Sequence, residues 1–474
     1  MRLSAKSWCM GWALALGLSG AVLAQADATA SPAAAAPAAI TAPAAVPAPA
    51  APAAPAVAPA PTRPSLVPQS HINGADTAWM LVSTALVLLM TLPGVALFYA
   101  GMVRRKNVLN TMASVVAIAA LVSVLWFAAG YSLAFTPGNA WIGGTQRMWF
   151  SGLDYAKDAG LVAVSHVLPT IPESVWAMFQ LTFAIITPAL VVGAFVERIK
   201  FSSMLWFIAL WSLVVYAPIA HWVWEPGGWL ARMGALDFAG GSVVHVNAGV
   251  AGLVCAWFLG PRKGYGQEAF EPYNLGLTMV GAGLLWVGWF GFNAGSAGAA
   301  DGRAGLAMAV THIAAATGAL GWMLAEWIVR RQPSLLGLCS GLVGGLVAIT
   351  PAAGFVQPGA AAVIGLLAGL ACYWGATALK RLLGADDSLD VFGVHGVGGI
   401  VGSLLTGVFV DKRISGATGD VLTQALAVGA VALYSAVATA LVLFIVRAVM
   451  GLRVGEEAEL VGLDLAEHRE KLGA

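Results

Sequence analysis

The stretch VFGVHGVGGIVG, residues 391–402, sets one histidine inside a run of glycine and β-branched residues that otherwise reads as helix in an apolar medium. A second stretch, GSVVHVNAGVAGLV at 241–254, matches it. Laying His245 over His395 superposes Gly249 on Gly399, Val250 on Ile400 and Gly252 on Gly402, a shared pattern H-x-x-x-G-[VI]-x-G. Glycines at i+4 and i+7 predict close helix packing. An ionisable side chain at bilayer depth is expensive and belongs on a pathway or against a partner. A single such histidine is often no more than a helix-to-helix hydrogen bond, but two at matching positions of a repeat favour a shared functional place.

Composition widens this into a fold. Of 474 residues 59% are hydrophobic and 10% charged, where a soluble domain carries about a quarter charged, so a multi-span membrane protein is expected. A net charge of +1 argues against nucleic acid as a partner. Cys9, Cys255, Cys339 and Cys372 are too scattered for a disulfide framework or a metal cluster, and the last three read as small packing residues. No cofactor or metal is called for.

Eleven apolar spans follow Asp76, at 77–102, 110–135, 174–197, 202–224, 240–260, 274–294, 304–329, 335–353, 358–379, 393–410 and 421–449. Threaded from an outside N-terminus, they leave eleven Lys and Arg in inner loops (104, 105, 106, 198, 200, 262, 263, 330, 331, 380 and 381) against six in outer ones (147, 157, 232, 303, 412 and 413), as the positive-inside rule requires. The span holding His245 then runs inward and the one holding His395 outward. The expected fold class is an all-α membrane protein of eleven transmembrane helices: two inverted five-helix repeats plus a last peripheral helix, with a site at the repeat interface near the midplane. Ahead of the spans, Arg2 and Lys6, the run WALALGLSGAVLA and the small residues Val22, Ala24 and Ala26 read as a signal peptide at 1–26. An Ala/Pro-rich periplasmic tether covers 27–68. The transmembrane domain is then 69–450, with repeat one at 77–260, repeat two at 274–410 and helix eleven at 421–449, followed by a cytoplasmic tail at 451–474.

LPGVALFYAGMVRRKNVLN (92–110), FQLTFAIITPALVVGAFVERIKFS (179–202), PIAHWVW (218–224), GALDFAGGSVVHVNAG (234–249), GWFGFNAGSAG (288–298), EWIVRRQPSLLG (326–337), DVFGVHGVGGIVG (390–402) and the tail GLRVGEEAELVGLD (451–464) together resemble the bacterial members of the Amt/Mep/Rh ammonium transporter family. The resemblance runs from residue 76 to about 468. It implies a homotrimer in the bacterial inner membrane, not an enzyme, that carries ammonium or ammonia and also methylammonium. It implies an outer recruitment site of Phe179, Trp224 and Ser296, a gate of Phe183 and Phe292, twin pore histidines His245 and His395, and a supporting carboxylate at Asp237. A PII-type signalling protein would dock on the cytoplasmic face, with Arg453, Glu456, Glu457 and Asp464 at the matching tail positions. Gly455 stands where relatives carry proline, which predicts a less rigid tail.

The chemistry fits these roles. Aromatic faces attract ammonium through the ring quadrupole, and a hydroxyl accepts one of its N–H bonds. A bare cation in a hydrophobic lumen costs tens of kcal/mol, and potassium has no proton to shed. The expectation is that NH4+ gathers at the outer site, loses a proton at or below the gate, and passes as NH3 along the two imidazoles, which titrate as a coupled pair. Rival classes fit less well. A divalent-metal transporter needs carboxylate or thiolate ligands beside the histidines, and an intramembrane hydrolase needs a nucleophile oriented by a base. An ammonium sensor of the same fold signalling through a PII-type partner stays open. His312 reads as a packing or secondary polar residue and His221 as a helix-end residue, while His71, His166 and His468 have no assigned role.

Overall fold

A computed structural model describes residues 62–473; the expected signal peptide and most of the expected tether lie outside them. Among the described residues ten helices are long and apolar enough to span a bilayer. These are α1 Gly74–Met102, α2 Arg105–Phe135, α3 Glu173–Phe195, α4 Phe201–Arg232, α5 Gly241–Leu259, α6 Leu275–Ala294, α7 Gly302–Arg330, α9 Pro358–Leu382, α10 Phe392–Phe409 and α11 Val421–Met450. A shorter apolar helix, α8 Leu335–Ile349, completes the eleven. It stops four residues before the expected end: Thr350 keeps helical angles at φ −52° and ψ −48°, and Pro351 after it has no amide hydrogen with which to continue the ladder. Two short helices, α12 Glu456–Val461 and α13 Leu463–His468, make the C-terminal segment.

Polar residues set the starts. Asn73 accepts the amides of Ala75 and Asp76 ahead of α1, Asn274 those of Gly276 and Leu277 ahead of α6, and Asp301 those of Arg303 and Ala304 ahead of α7. Each satisfies amides that have no intrahelical partner.

The chain is not wholly helical. β1 Ser65–Pro68, β2 Tyr155–Ala156 and β3 Leu161–Val164 form a small antiparallel sheet in the order β1-β3-β2. Ser65 pairs with Val164 and Pro68 with Leu161. The last residues of the expected tether are therefore ordered. Past the Ala/Pro repeat, Leu66 and Val67 supply the apolar, β-branched character that a strand takes up.

Loops gather at two ends. The sheet end also carries residues 233–240, 295–301 and 350–357. The tail end carries 103–104, 196–200, 260–274, 331–334, 383–391 and the C-terminal segment. All eleven basic residues assigned to inner loops fall at or beside the tail end.

The two matched helices meet where their histidines are. A Cβ on Gly249 of α5 would run into the backbone of Gly396, and one on Gly399 of α10 would press on the backbone of Gly241 and Val246. Each histidine lies in a wide π-helical turn, Gly241–Val246 or Phe392–Gly396. Such turns inside helices are frequent at functional sites.

Candidate functional site

Asp237, nine-tenths buried, begins the site. Its Oδ1 accepts the amides of Gly240 and Gly241 at 2.8 and 2.6 Å, and its Oδ2 those of Ser242 and Val243 at 2.8 and 3.1 Å. The carboxylate thus caps the turn that presents His245. Burial raises its pKa, and the four amide bonds oppose that rise. Its backbone carbonyl accepts the Trp224 indole N–H at 2.9 Å. One residue therefore fixes both a pore helix and an aromatic wall.

Trp224 faces a cavity of about 140 Å³ at the sheet end, lined also by Trp176, Phe179, Gln180, Phe183, Phe238 and Ser296. Ser296 donates its hydroxyl hydrogen to the Phe292 carbonyl at 2.8 Å, which leaves its lone pairs for a donor in the cavity. Phe179 meets Phe183 edge-on with centroids 5.0 Å apart, and Trp224 stands at 5.7 Å and 83° to Phe183. The three residues expected to recruit a cation thus share one cavity. Its floor is the pair Phe183 and Phe292, with centroids 4.4 Å apart at 36°.

Beneath Phe292 lie the imidazoles. His245 stacks on Trp289 at 5.5 Å and on His395 at 5.3 Å, the last pair inclined by 12°. Nδ1 of one histidine is 3.3 Å from Nδ1 of the other. Two nitrogens can share only one hydrogen, so one ring donates and the other accepts. The donor's Nε2 is then an acceptor and the acceptor's Nε2–H a donor, which gives the pair a direction. His245 Nε2 has no partner among the described residues. Both rings line a cavity of about 10 Å³ with Phe98, Tyr99, Leu190 and Trp289, room for about one water-sized molecule. Past His395 a third cavity of about 160 Å³ reaches the tail end, where Tyr99, Glu326, Tyr373 and Asp390 contribute polar groups.

The expected tail residues divide. Glu456 pairs with Lys263 at 3.1 Å on the surface, and Glu457 is exposed. Asp464 is buried and accepts the Asn110 amide at 2.8 Å, while Arg453 donates to the Leu259 carbonyl and pairs with Glu459 at 2.7 Å. Those two staple the segment to the tail-end turns of α2 and α5. Gly455 adopts φ −64° and ψ 158°, the backbone a proline would impose. The segment is held in spite of the missing ring.

Several contributors carry no local sequence signal. Arg198, fully buried, donates to the carbonyls of Ala194, Gly260 and Asp386 and to Ser388 Oγ, lacing both repeats together at the tail end. Burial lowers its pKa to about 10. Asp387 lies eight residues before His395, as Asp237 lies eight before His245. Its Oδ2 accepts the Phe392 amide at 2.7 Å, and extending the repeat overlay backwards would have found it. His166 pairs with Glu225 at 2.9 Å, and His221 makes contacts to the carbonyl oxygens of Ala134 and Asn139. His312 is exposed in this chain and stacks on Trp286 at 5.0 Å.

A family model described as the Ammonium Transporter Family matches residues 78–472. An ammonium transporter of Bacillus subtilis (strain 168) is 47% identical over 405 residues, which cover 84% of this chain and 98% of the relative. One of Aquifex aeolicus (strain VF5) is 48% identical over 412 residues, covering 85% and 94%. The crystal structure of Saccharomyces cerevisiae Mep2 superposes with a TM-score of 0.75 at 36% identity over 82% of this chain and 91% of that one. A structure titled Sensor Amt Protein superposes at 0.76 with 27% identity over 83% and 98%.

Proposed function

This chain belongs to the ammonium transporter family, and on that premise we propose that it gathers NH4+ at Phe179, Trp224 and Ser296 and conducts NH3 past His245 and His395. The observation that carries this reading is the pair of imidazoles joined at 3.3 Å between a cavity at either end. At the first cavity two aromatic faces and a hydroxyl oxygen replace part of the ion's water. The Phe183–Phe292 floor is apolar and too close-set for a hydrated ion. An ion that cannot lighten its charge meets the full cost of entering a low-dielectric lumen. Ammonium escapes that cost by giving its proton to water in the first cavity, so that NH3 alone enters the lumen. The neutral molecule then finds, at each histidine, one hydrogen-bonding nitrogen of defined sense. Asp237 steadies the wall and the His245 turn without contacting the substrate.

The same reading gives a homotrimer in a bacterial inner membrane, the sheet end outside and the tail end in the cytoplasm. A PII-type protein docks on the tail end, using the surface offered by Glu456 and Glu457. Pull-down of PII by the full chain and by a chain lacking 450–474 checks that contact: equal capture by both removes the tail from it.

Radiolabelled methylammonium uptake in a cell without its own ammonium transporters tests transport. Uptake that saturates and is competed by ammonium is expected; binding without uptake would instead favour an ammonium sensor. That second reading has one specific support, the likeness to the solved Sensor Amt Protein.

A further inference from the structure

Gln180 is one residue from Phe179 on α3 and lines the same cavity as Phe179, Trp224 and Ser296. It is 5% exposed, yet its Oε1 has no partner, and its side chain makes no hydrogen bond among the described residues. Of the other polar groups there, the Trp176 N–H also has no partner among the described residues, but it is a donor and offers a cation nothing. The Trp224 N–H is held by Asp237 and the Ser296 hydrogen by Phe292. Two acceptors remain for a cation, the lone pairs of Ser296 Oγ and the Gln180 amide oxygen. An unpaired amide surrounded by Trp176, Phe179 and Phe183 gains nothing for the fold, because its desolvation goes uncompensated and an apolar side chain would fill the place more cheaply. A terminal amide turns readily about its last torsion, so its oxygen can meet a donor in the cavity.

Resting on the recruitment reading above, we propose that the Gln180 amide oxygen is a specificity-determining acceptor of the sheet-end site, taking the N–H of ammonium that methylammonium replaces with a methyl group. Ammonium offers four N–H donors. The faces of Phe179 and Trp224, the Ser296 oxygen and the Gln180 oxygen supply four acceptors of matching kind. Methylammonium offers three donors, and its methyl group must either displace the amide contact or leave the amide unpaired. A site with a buried hydrogen-bonding group penalises the analogue that cannot use it.

The test is competition between labelled methylammonium and unlabelled ammonium for uptake, read as the ratio of methylammonium half-saturation to ammonium inhibition constant. Gln180→Met keeps the length and removes the acceptor. It should weaken ammonium about tenfold, the worth of a charge-assisted hydrogen bond, and methylammonium about twofold or less, so the ratio falls about fivefold or more. Gln180→Glu restores an acceptor and should restore the ratio. Size-exclusion profiles establish folding, and Gln180→Leu substitutes if the methionine variant does not fold. A ratio unchanged in the apolar variant, or equal in the apolar and glutamate variants, overturns the proposal. Ser296→Ala separates the two levels: if it weakens ammonium while Gln180→Met does not, only the role of Gln180 fails, and if neither does, the recruitment site itself is wrong.

Discussion

Single residues here do two jobs, and Asp387 shows the cost. It closes the first turn of α10 through its Oδ2, while its Oδ1 is buried with no partner among the described residues. Burial pushes its carboxyl up to about 6, with Lys380 pulling down and Asp390 pushing up. A carboxyl whose folded pKa exceeds its unfolded value of about 4 binds its proton more tightly when folded, so it adds stability below that value and loses it as pH rises through about 6. Thermal melts of detergent-solubilised protein should rise from pH 7 to pH 5 by a few degrees more in wild type than in Asp387→Asn. Parallel pH curves would show that this carboxyl is already charged in the fold. Residue-level roles were unevenly legible. His245 and His395 stood out because their surroundings repeat. Gln180 did not, because a polar residue in an apolar run has no visible role until its neighbours in space are known.

At the scale of elements, the decisive feature is the crossing of α5 and α10. Gly249 and Gly399 let the backbones approach until the rings share a hydrogen, and the π-helical turns aim both rings into one lumen. Gly249→Ala would drive a methyl group into the Gly396 backbone. Overpacking of this kind costs about 1–3 kcal/mol. The variant should melt several degrees lower and transport more slowly, whereas an unchanged melt and rate would mean that the crossing tolerates separation. The lengths of the apolar runs revealed most of the helices to within a few residues, while α4 runs eight residues past its expected end at 224. The wide turns were not legible, since one extra residue in a turn leaves no mark on composition. Nor was the sheet, which pairs Ser65–Pro68 with Leu161–Val164 across most of a hundred residues of sequence.

Among the described residues the helices form a bundle with a cavity toward either end and a narrow, mostly apolar constriction between them. Its two-fold repeat was readable because the glycine and histidine pattern survives in both halves. The polar scaffolding at the tail end was not: Arg262 bridges Asp386 at 2.8 Å and Glu197 at 3.3 Å, and these three residues come from three separate loops. Charge counting could group the basic residues without naming their partners. On the proposed reading, function at this scale depends on the constriction accepting a neutral molecule and refusing an ion of similar size. The most direct measurement places purified wild type and the His245→Ala, His395→Ala double variant in liposomes and compares ammonium entry with potassium entry. Wild type should admit ammonium and exclude potassium, and the double variant should lose ammonium flux, its selectivity over potassium, or both. Ammonium flux and discrimination that survive unchanged without either imidazole would contradict the account.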